Sequence, residues 1–228
     1  METAADHLRR IGERMEKAAR HAGRNPKDIT LVAVTKTVPL ERVLPFIQTG
    51  IRHVGENRIQ EALEKYAGLA AGGLVRPQFH LIGQLQSNKA KKAVGFFDMI
   101  QSLDRFDLAQ DINRHAEALG KKQACLVEIK ISTEATKSGL PPENLEEFLG
   151  QLKGLTSLEI KGLMGIAPAV ATAEETRPYF SKLRKLFEKS RLEVLSMGMS
   201  SDFEIAIEEG STMVRLGTSL FGSRTNPL

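Results

Sequence analysis

A chain of 228 residues with 41% hydrophobic and 26% charged residues has the make-up of a globular protein that builds its own core, without help from disulfides or metals. Its net charge of +4, from 32 Lys+Arg against 28 Asp+Glu spread along the chain, excludes the clustered basic footprint that nucleic acid requires. Cys125 is the single cysteine, Met1 to Arg20 is charged throughout with no signal-peptide stretch, and no run is long enough to span a membrane, so a cytoplasmic protein is expected.

The first element is a helix: Ala4, Leu8, Ile11, Met15 and Ala18 recur at helical spacing, and Gly23 ends it. From there the chain alternates. Strands are predicted near 30–36, 52–55, 78–82, 98–101, 123–131, 159–164, 193–197 and 212–216. Helices are predicted near 39–49, 57–71, 87–95, 105–119, 142–152, 173–190 and 201–209, and no linker or low-complexity tract interrupts them. Cys125 falls within the fifth strand and reads as a small core residue. Eight strands separated by helices argue for one α/β domain over residues 1–228, a parallel (β/α)8 TIM barrel with an extra N-terminal helix. The competing open doubly wound sheet usually carries a glycine-rich fingerprint after its first strand. Here that place holds Thr35-Lys36-Thr37-Val38-Pro39.

Lys36 closes the apolar, β-branched run Thr30-Leu31-Val32-Ala33-Val34-Thr35. An amine at the dry mouth of a parallel sheet loses solvation, which lowers its pKa and exposes a nucleophilic fraction, as Schiff-base formation requires. The bland reading is a lysine that reaches out of the strand end into water. Two loops near the other end of the chain bear on that choice. After the seventh strand comes Gly198-Met199-Ser200-Ser201-Asp202-Phe203-Glu204, where Ser201 with Glu204 fits a capping box and leaves the Ser200 hydroxyl at a helix N-terminus, an anion site. After the eighth comes Arg215-Leu216-Gly217-Thr218, where Gly217 permits close backbone approach and Thr218 adds a hydroxyl. Arg215, at the end of a buried strand, needs an acceptor: a structural carboxylate or a heteroaromatic nitrogen across the barrel mouth. A Schiff-base lysine, phosphate-holding loops and an arginine for a ring nitrogen are the fittings of a pyridoxal phosphate site.

The chain resembles the pyridoxal phosphate homeostasis protein family, vitamin B6 carriers built as single barrels similar to the N-terminal barrel of the alanine racemases. The resemblance covers nearly the whole length. It rests on Leu31 to Lys36, Gly55-Glu56-Asn57, His80-Leu81-Ile82-Gly83-Gln84-Leu85-Gln86-Ser87-Asn88-Lys89, Lys137-Ser138-Gly139, Gly162-Leu163-Met164, Gly198-Met199-Ser200, Val214 to Thr218 and Phe221-Gly222. It implies pyridoxal 5′-phosphate held as an internal aldimine on Lys36, its phosphate at Ser200, Gly217 and Thr218, Arg215 facing the pyridine nitrogen and Asn57 near the ring. Ser201 departs from relatives that carry an acidic residue there; either serves as a cap.

Racemisation needs two acid/base groups on opposite faces of the substrate α-carbon. The alanine racemases supply a tyrosine from a second domain, and this sequence stops at Leu228. Its tyrosines, Tyr66 and Tyr179, fall in outer helices, and His53 and His80 read as core histidines. A permanently charged Arg215 would also keep a ring nitrogen unprotonated and weaken the cofactor as an electron sink. The expectation is therefore a non-enzymatic, monomeric carrier that buffers the aldehyde and releases it to apo-enzymes, with no metal, nucleic acid or membrane involved. A low-activity amino-acid racemase and a Schiff-base aldolase on a phosphorylated sugar are the alternatives. Lys89, Lys91 and Lys92 read as a solvated helix face, and the polar loop 132–139, with Lys137, as a lid bearing a second amine.

Overall fold

The computed structural model describes residues 3–69, 75–132, 138–170 and 172–222. Eight parallel strands close into one barrel in chain order: β1 (Thr30–Val34), β2 (His53–Glu56), β3 (Gln78–Leu81), β4 (Met99–Leu103), β5 (Gln123–Ile129), β6 (Leu158–Gly165), β7 (Val194–Ser196) and β8 (Met213–Leu216), with β8 returning to β1. The expected (β/α)8 architecture is what the chain forms. α1 (Ala4–His21) starts at a reciprocal capping box between Thr3 and Asp6 and packs against α2 (Leu40–Thr49) and α8 (Phe203–Glu208), in the outer ring of helices. α3 (Ile59–Tyr66), α4 (Ala90–Phe96), α5 (Phe106–Ala118), α6 (Leu145–Leu152) and α7 (Arg177–Ser190) follow their strands, and α9 (Thr218–Phe221) is one turn after β8.

Side chains alternate across each strand, so every strand has a helix-facing set and a barrel-facing set. Ala33, Val54, Phe79, Leu81, Ile100, Cys125, Val127, Leu163, Leu195, Val214 and Leu216 join one buried cluster with the helices. Cys125 is fully buried there, and desolvation pushes its thiol up to about 12, as suits an inert core residue. Val32, Val34, His80, Gln101, Leu126, Met164, Ser196, Met213 and Arg215 are buried outside that cluster, within the barrel.

Register then decides who meets at the C-terminal rim. Val34 pairs with Gly55 and Ala33 with Leu216. Two residues further on, Lys36 comes level with Asn57, while Gly217 comes level with Val34. On the far side of β8, the Arg215 N–H donates to the Gly198 carbonyl at 3.0 Å, which brings the loop after β7 alongside Gly217. The four neighbouring strands β7, β8, β1 and β2 therefore carry all six residues expected to hold a cofactor.

Candidate functional site

Lys36 is partly buried and sits between two residues that the fold clamps. Thr35 is fully buried; its hydroxyl donates to Glu56 Oε1 at 2.7 Å and lies 2.8 Å from the Tyr66 hydroxyl. Lys65 Nζ completes the knot by donating to the Thr35 carbonyl at 2.7 Å, Glu56 Oε1 at 2.8 Å and Glu61 Oε1 at 2.9 Å. On the other side, Thr37 takes the left-handed conformation at φ 62°, which a β-branched residue rarely adopts, and its N–H donates to Glu61 Oε1 at 2.6 Å. Burial raises the Glu56 carboxyl despite its bonds to Lys65 and Thr35. All of this chemistry lies on the α3 side of the wall. By alternation Lys36 turns the other way, with Val32 and Val34, towards the barrel mouth.

The two loops after β7 and β8 are sewn together at Ser200. Its hydroxyl oxygen accepts from the Gly217 N–H at 3.1 Å and the Ser219 N–H at 3.2 Å, so two backbone donors converge on one point. The Ser219 hydroxyl returns a bond to the Ser200 carbonyl at 3.2 Å. A Cβ on Gly217 would sit 3.3 Å from the Val34 carbonyl, which explains a glycine at the close approach of β8 to β1. The capping box expected of Ser201 and Glu204 is not formed. α8 begins at Phe203, Glu204 pairs with Arg14 at 2.7 Å, and Asp202 accepts the Met199 N–H at 2.6 Å, which ties the turn from within. Burial raises the Asp202 carboxyl, and Arg215 partly offsets this.

Arg215 is 4% exposed, and its acceptors are a hydroxyl and a carbonyl: Ser196 Oγ at 2.6 Å and the Gly165 carbonyl at 3.0 Å. Desolvation lowers the guanidinium to about 10, with Glu128 and Asp202 opposing, so it keeps its charge at neutral pH. Beneath it a chain of hydrogen bonds crosses the barrel. Ser196 donates to Gln101 Oε1 at 2.7 Å, and Gln101 Nε2 lies 3.0 Å from His80 Nδ1, whose Nε2 lies 3.0 Å from His53 Nδ1. If each donor is assigned in turn from Arg215, both histidines carry their proton on Nε2. Burial pushes His80 down to about 3, so this core histidine is neutral. His80 is a satisfied interior residue, as its place in a strand suggested, whereas His53, at the start of β2, is half-buried and bonded to it.

At the rim a cavity of about 300 Å³ is lined by Lys36, Asn57, Ser200, Arg215, Gly217 and Thr218, the six residues singled out in the sequence. Val34, Ile82, Ile166, Met199 and Ser201 complete its wall. Asn57 Oδ1 is buried and accepts nothing from the described residues, which leaves an acceptor available to a ligand. Sequence reasoning missed Ser219 and the chain below Arg215. The inward parity of Ser196, Gln101 and His80 was the available signal, but polar residues inside strands gave no partner for any of them. Lys137 and most of the expected lid lie outside the described residues. Among those described, no group of three or more His, Cys, Asp or Glu could hold a metal ion, and no helix is long and apolar enough to cross a membrane.

Residues 7–225 match the family of the alanine racemase N-terminal domain. The pyridoxal phosphate homeostasis protein of Aquifex aeolicus (strain VF5) is 43% identical over 227 residues, covering 97% of this chain and 98% of the relative. The chain belongs to the pyridoxal phosphate homeostasis protein family. The family member of Escherichia coli K12 is 36% identical over 98% of both chains. PipY of Synechococcus elongatus PCC7942, solved with PLP bound, is 40% identical with a TM-score of 0.81, covering 93% of this chain and all of that one. An alanine racemase of Clostridium difficile 630 is 17% identical at a TM-score of 0.71; the match takes in 97% of this chain but 58% of the racemase, and the likeness is one of fold.

Proposed function

We propose that this barrel holds pyridoxal 5′-phosphate at its C-terminal rim and serves as a carrier that buffers the cofactor and passes it to apo-enzymes. The observation that carries the reading is the convergence of Lys36, Arg215 and the knotted Ser200–Gly217–Thr218 loops on one cavity. When bound, the group supplies an aldehyde, a phosphate dianion and a pyridine nitrogen. Lys36 offers the primary amine that captures an aldehyde. The Gly217 and Ser219 N–H groups converge on the Ser200 hydroxyl oxygen, and Ser200, Gly217 and Thr218 line the cavity together, a set of groups suited to phosphate.

Arg215 takes the ring nitrogen in this reading. A guanidinium at about 10 retains its proton at neutral pH, so it donates and does not hand the proton over. A ring left unprotonated is a poor electron sink, which favours holding the cofactor over turning over amino acids. Among the described residues, three candidates for the opposite face are engaged elsewhere: the Tyr66 hydroxyl is bonded to Thr35 on the α3 side, and His80 and His53 are bonded to each other.

Protein loaded with pyridoxal 5′-phosphate, freed of unbound cofactor and mixed with an apo-enzyme that needs it, tests the proposal. Activity should return with a time course limited by release from the protein, while racemisation of L-alanine should stay at the level of free cofactor. Alanine turnover well above that level, or a loaded protein that never reactivates the apo-enzyme, would overturn the carrier reading.

A further inference from the structure

The stretch from Gln84 to Lys89 continues the motif that opens at His80, and none of its side chains lines the first cavity. Its side chains open on a second cavity of about 450 Å³, larger than the first and next to it, lined among others by Asn57, Arg58, Gln84, Gln86, Lys89 and Lys92. Asn57 lines both cavities and forms the partition. Among the described residues, three cations and several side-chain amides line the second cavity, and no carboxylate does. The carboxylates around it are hydrogen-bonded to other groups, Glu61 to Lys65 and the Thr37 N–H, Glu64 to Gln60 and Asp107 to Arg105, although the Arg58 charge also acts on Glu61. Lys89 and Lys92 line the cavity and make no ion pair among the described residues, whereas Lys91 is not part of the lining. The trio that reads as a solvated face is thus split by the fold. Arg58, at the start of α3, is extended and gives no side-chain cap, so the first backbone amides of that helix add further donors near Ile59 and Gln60.

We infer that this cleft is a second anion site, adjoining the cofactor cavity, that takes a small phosphorylated molecule on Arg58, Lys89 and Lys92. The inference rests on the proposed function for its neighbour but has its own residues. Two lysines with no ion pair among the described residues, beside Arg58 and several amide donors in a concave site, are the arrangement that a phosphate dianion satisfies. Because Asn57 stands between the two cavities, an occupant of one bears on the other, and coupling of that kind is reciprocal.

The test fills the first cavity before probing the second. One equivalent of pyridoxal 5′-phosphate is added, fixed with borohydride, and the product is titrated by calorimetry at low ionic strength with inorganic phosphate, pyridoxamine 5′-phosphate and pyridoxamine. Pyridoxamine 5′-phosphate lacks an aldehyde, so it cannot react with the lysines. One further equivalent of a phosphate-bearing probe should bind, weaken as salt is raised, and weaken about tenfold in the Lys89→Gln/Lys92→Gln variant, which loses two charge-assisted contacts at an exposed cleft. Both substituted lysines are exposed, and fixation at the first cavity serves as the control for folding. No second equivalent, equal binding of phosphate-free pyridoxamine, or binding unchanged in the double variant would overturn the inference; the last result would place the ligand elsewhere. Failure of the fixation step instead counts against the proposed function. In that case the same titration of unmodified protein, wild type against double variant, still decides the second site.

Discussion

At the scale of residues, the placement of Lys36 depends on neighbours that never enter the cavity. Thr35 and Thr37 are held by Glu56, Glu61 and Lys65 on the helix side of the wall, so the amine between them is fixed by a buried ionic knot. Lys65 is 9% exposed and Glu56 fully buried, which makes the pair sensitive to loss of one member. Lys65→Met should cost about 3 kcal/mol in urea unfolding at pH 7, the order expected when a buried charge loses its partner. The defect should shrink at pH 5, because a carboxyl already raised by burial takes up a proton once its cation is gone. A cost under about 1 kcal/mol, typical of a surface pair, would mean that the knot does not hold this segment.

At the scale of elements, the strands were readable as short, largely apolar runs set between helical segments, and each of the eight was anticipated close to its observed place. Helix ends were less readable. The helix expected over 57–71 runs from Ile59 to Tyr66, and the one expected from 87 opens as a 3₁₀ turn at Ser87–Lys89 before α4. The Ser201–Glu204 pattern satisfies the spacing of a capping box, but Glu204 gains more from Arg14 across to α1, and the buried Asp202 ties the turn instead. Long-range partners override local signals there, and no local pattern names them. The same holds for the cross-barrel chain from Arg215 to His53, built from β8, β7, β4, β3 and β2. It carries a pH signature. His80 stays neutral in the fold down to about 3, whereas an unfolded histidine takes a proton below about 6.5, so stability falls as pH drops through that window. His80→Gln should therefore lose less stability than the wild type between pH 7 and pH 5, with a difference of about 2 kcal/mol in urea unfolding at pH 5. Identical pH slopes for the two proteins would show that His80 does not titrate in this way.

At the scale of the whole molecule, barrel closure is what makes a site. Lys36 and Thr218 are separated by most of the chain, yet β1 and β8 are hydrogen-bonded neighbours, and the register of that pairing sets Val34 against Gly217. Lys36, Ser200, Arg215, Gly217 and Thr218 could be picked out in the sequence because each stands at or just past the C-terminal end of a predicted strand, where a (β/α)8 barrel keeps its chemistry, whereas Asn57 was named by the family resemblance alone. The second cavity could not be picked out in the same way: its cations come from the turn before α3, the 3₁₀ turn before α4 and α4 itself, and only the packed fold shows that Lys89 and Lys92 line it while Lys91 does not. Both cavities open on one rim, the first facing the hydrophobic walls of Val34, Ile82 and Ile166 and the second lined mainly by polar groups.

The most direct measurement is borohydride reduction of the protein with less than one equivalent of pyridoxal 5′-phosphate, followed by proteolysis and peptide mass mapping. The account predicts a single pyridoxyl label, on the peptide that contains Lys36. A label on Lys89, Lys92 or Lys137 with Lys36 untouched would contradict it.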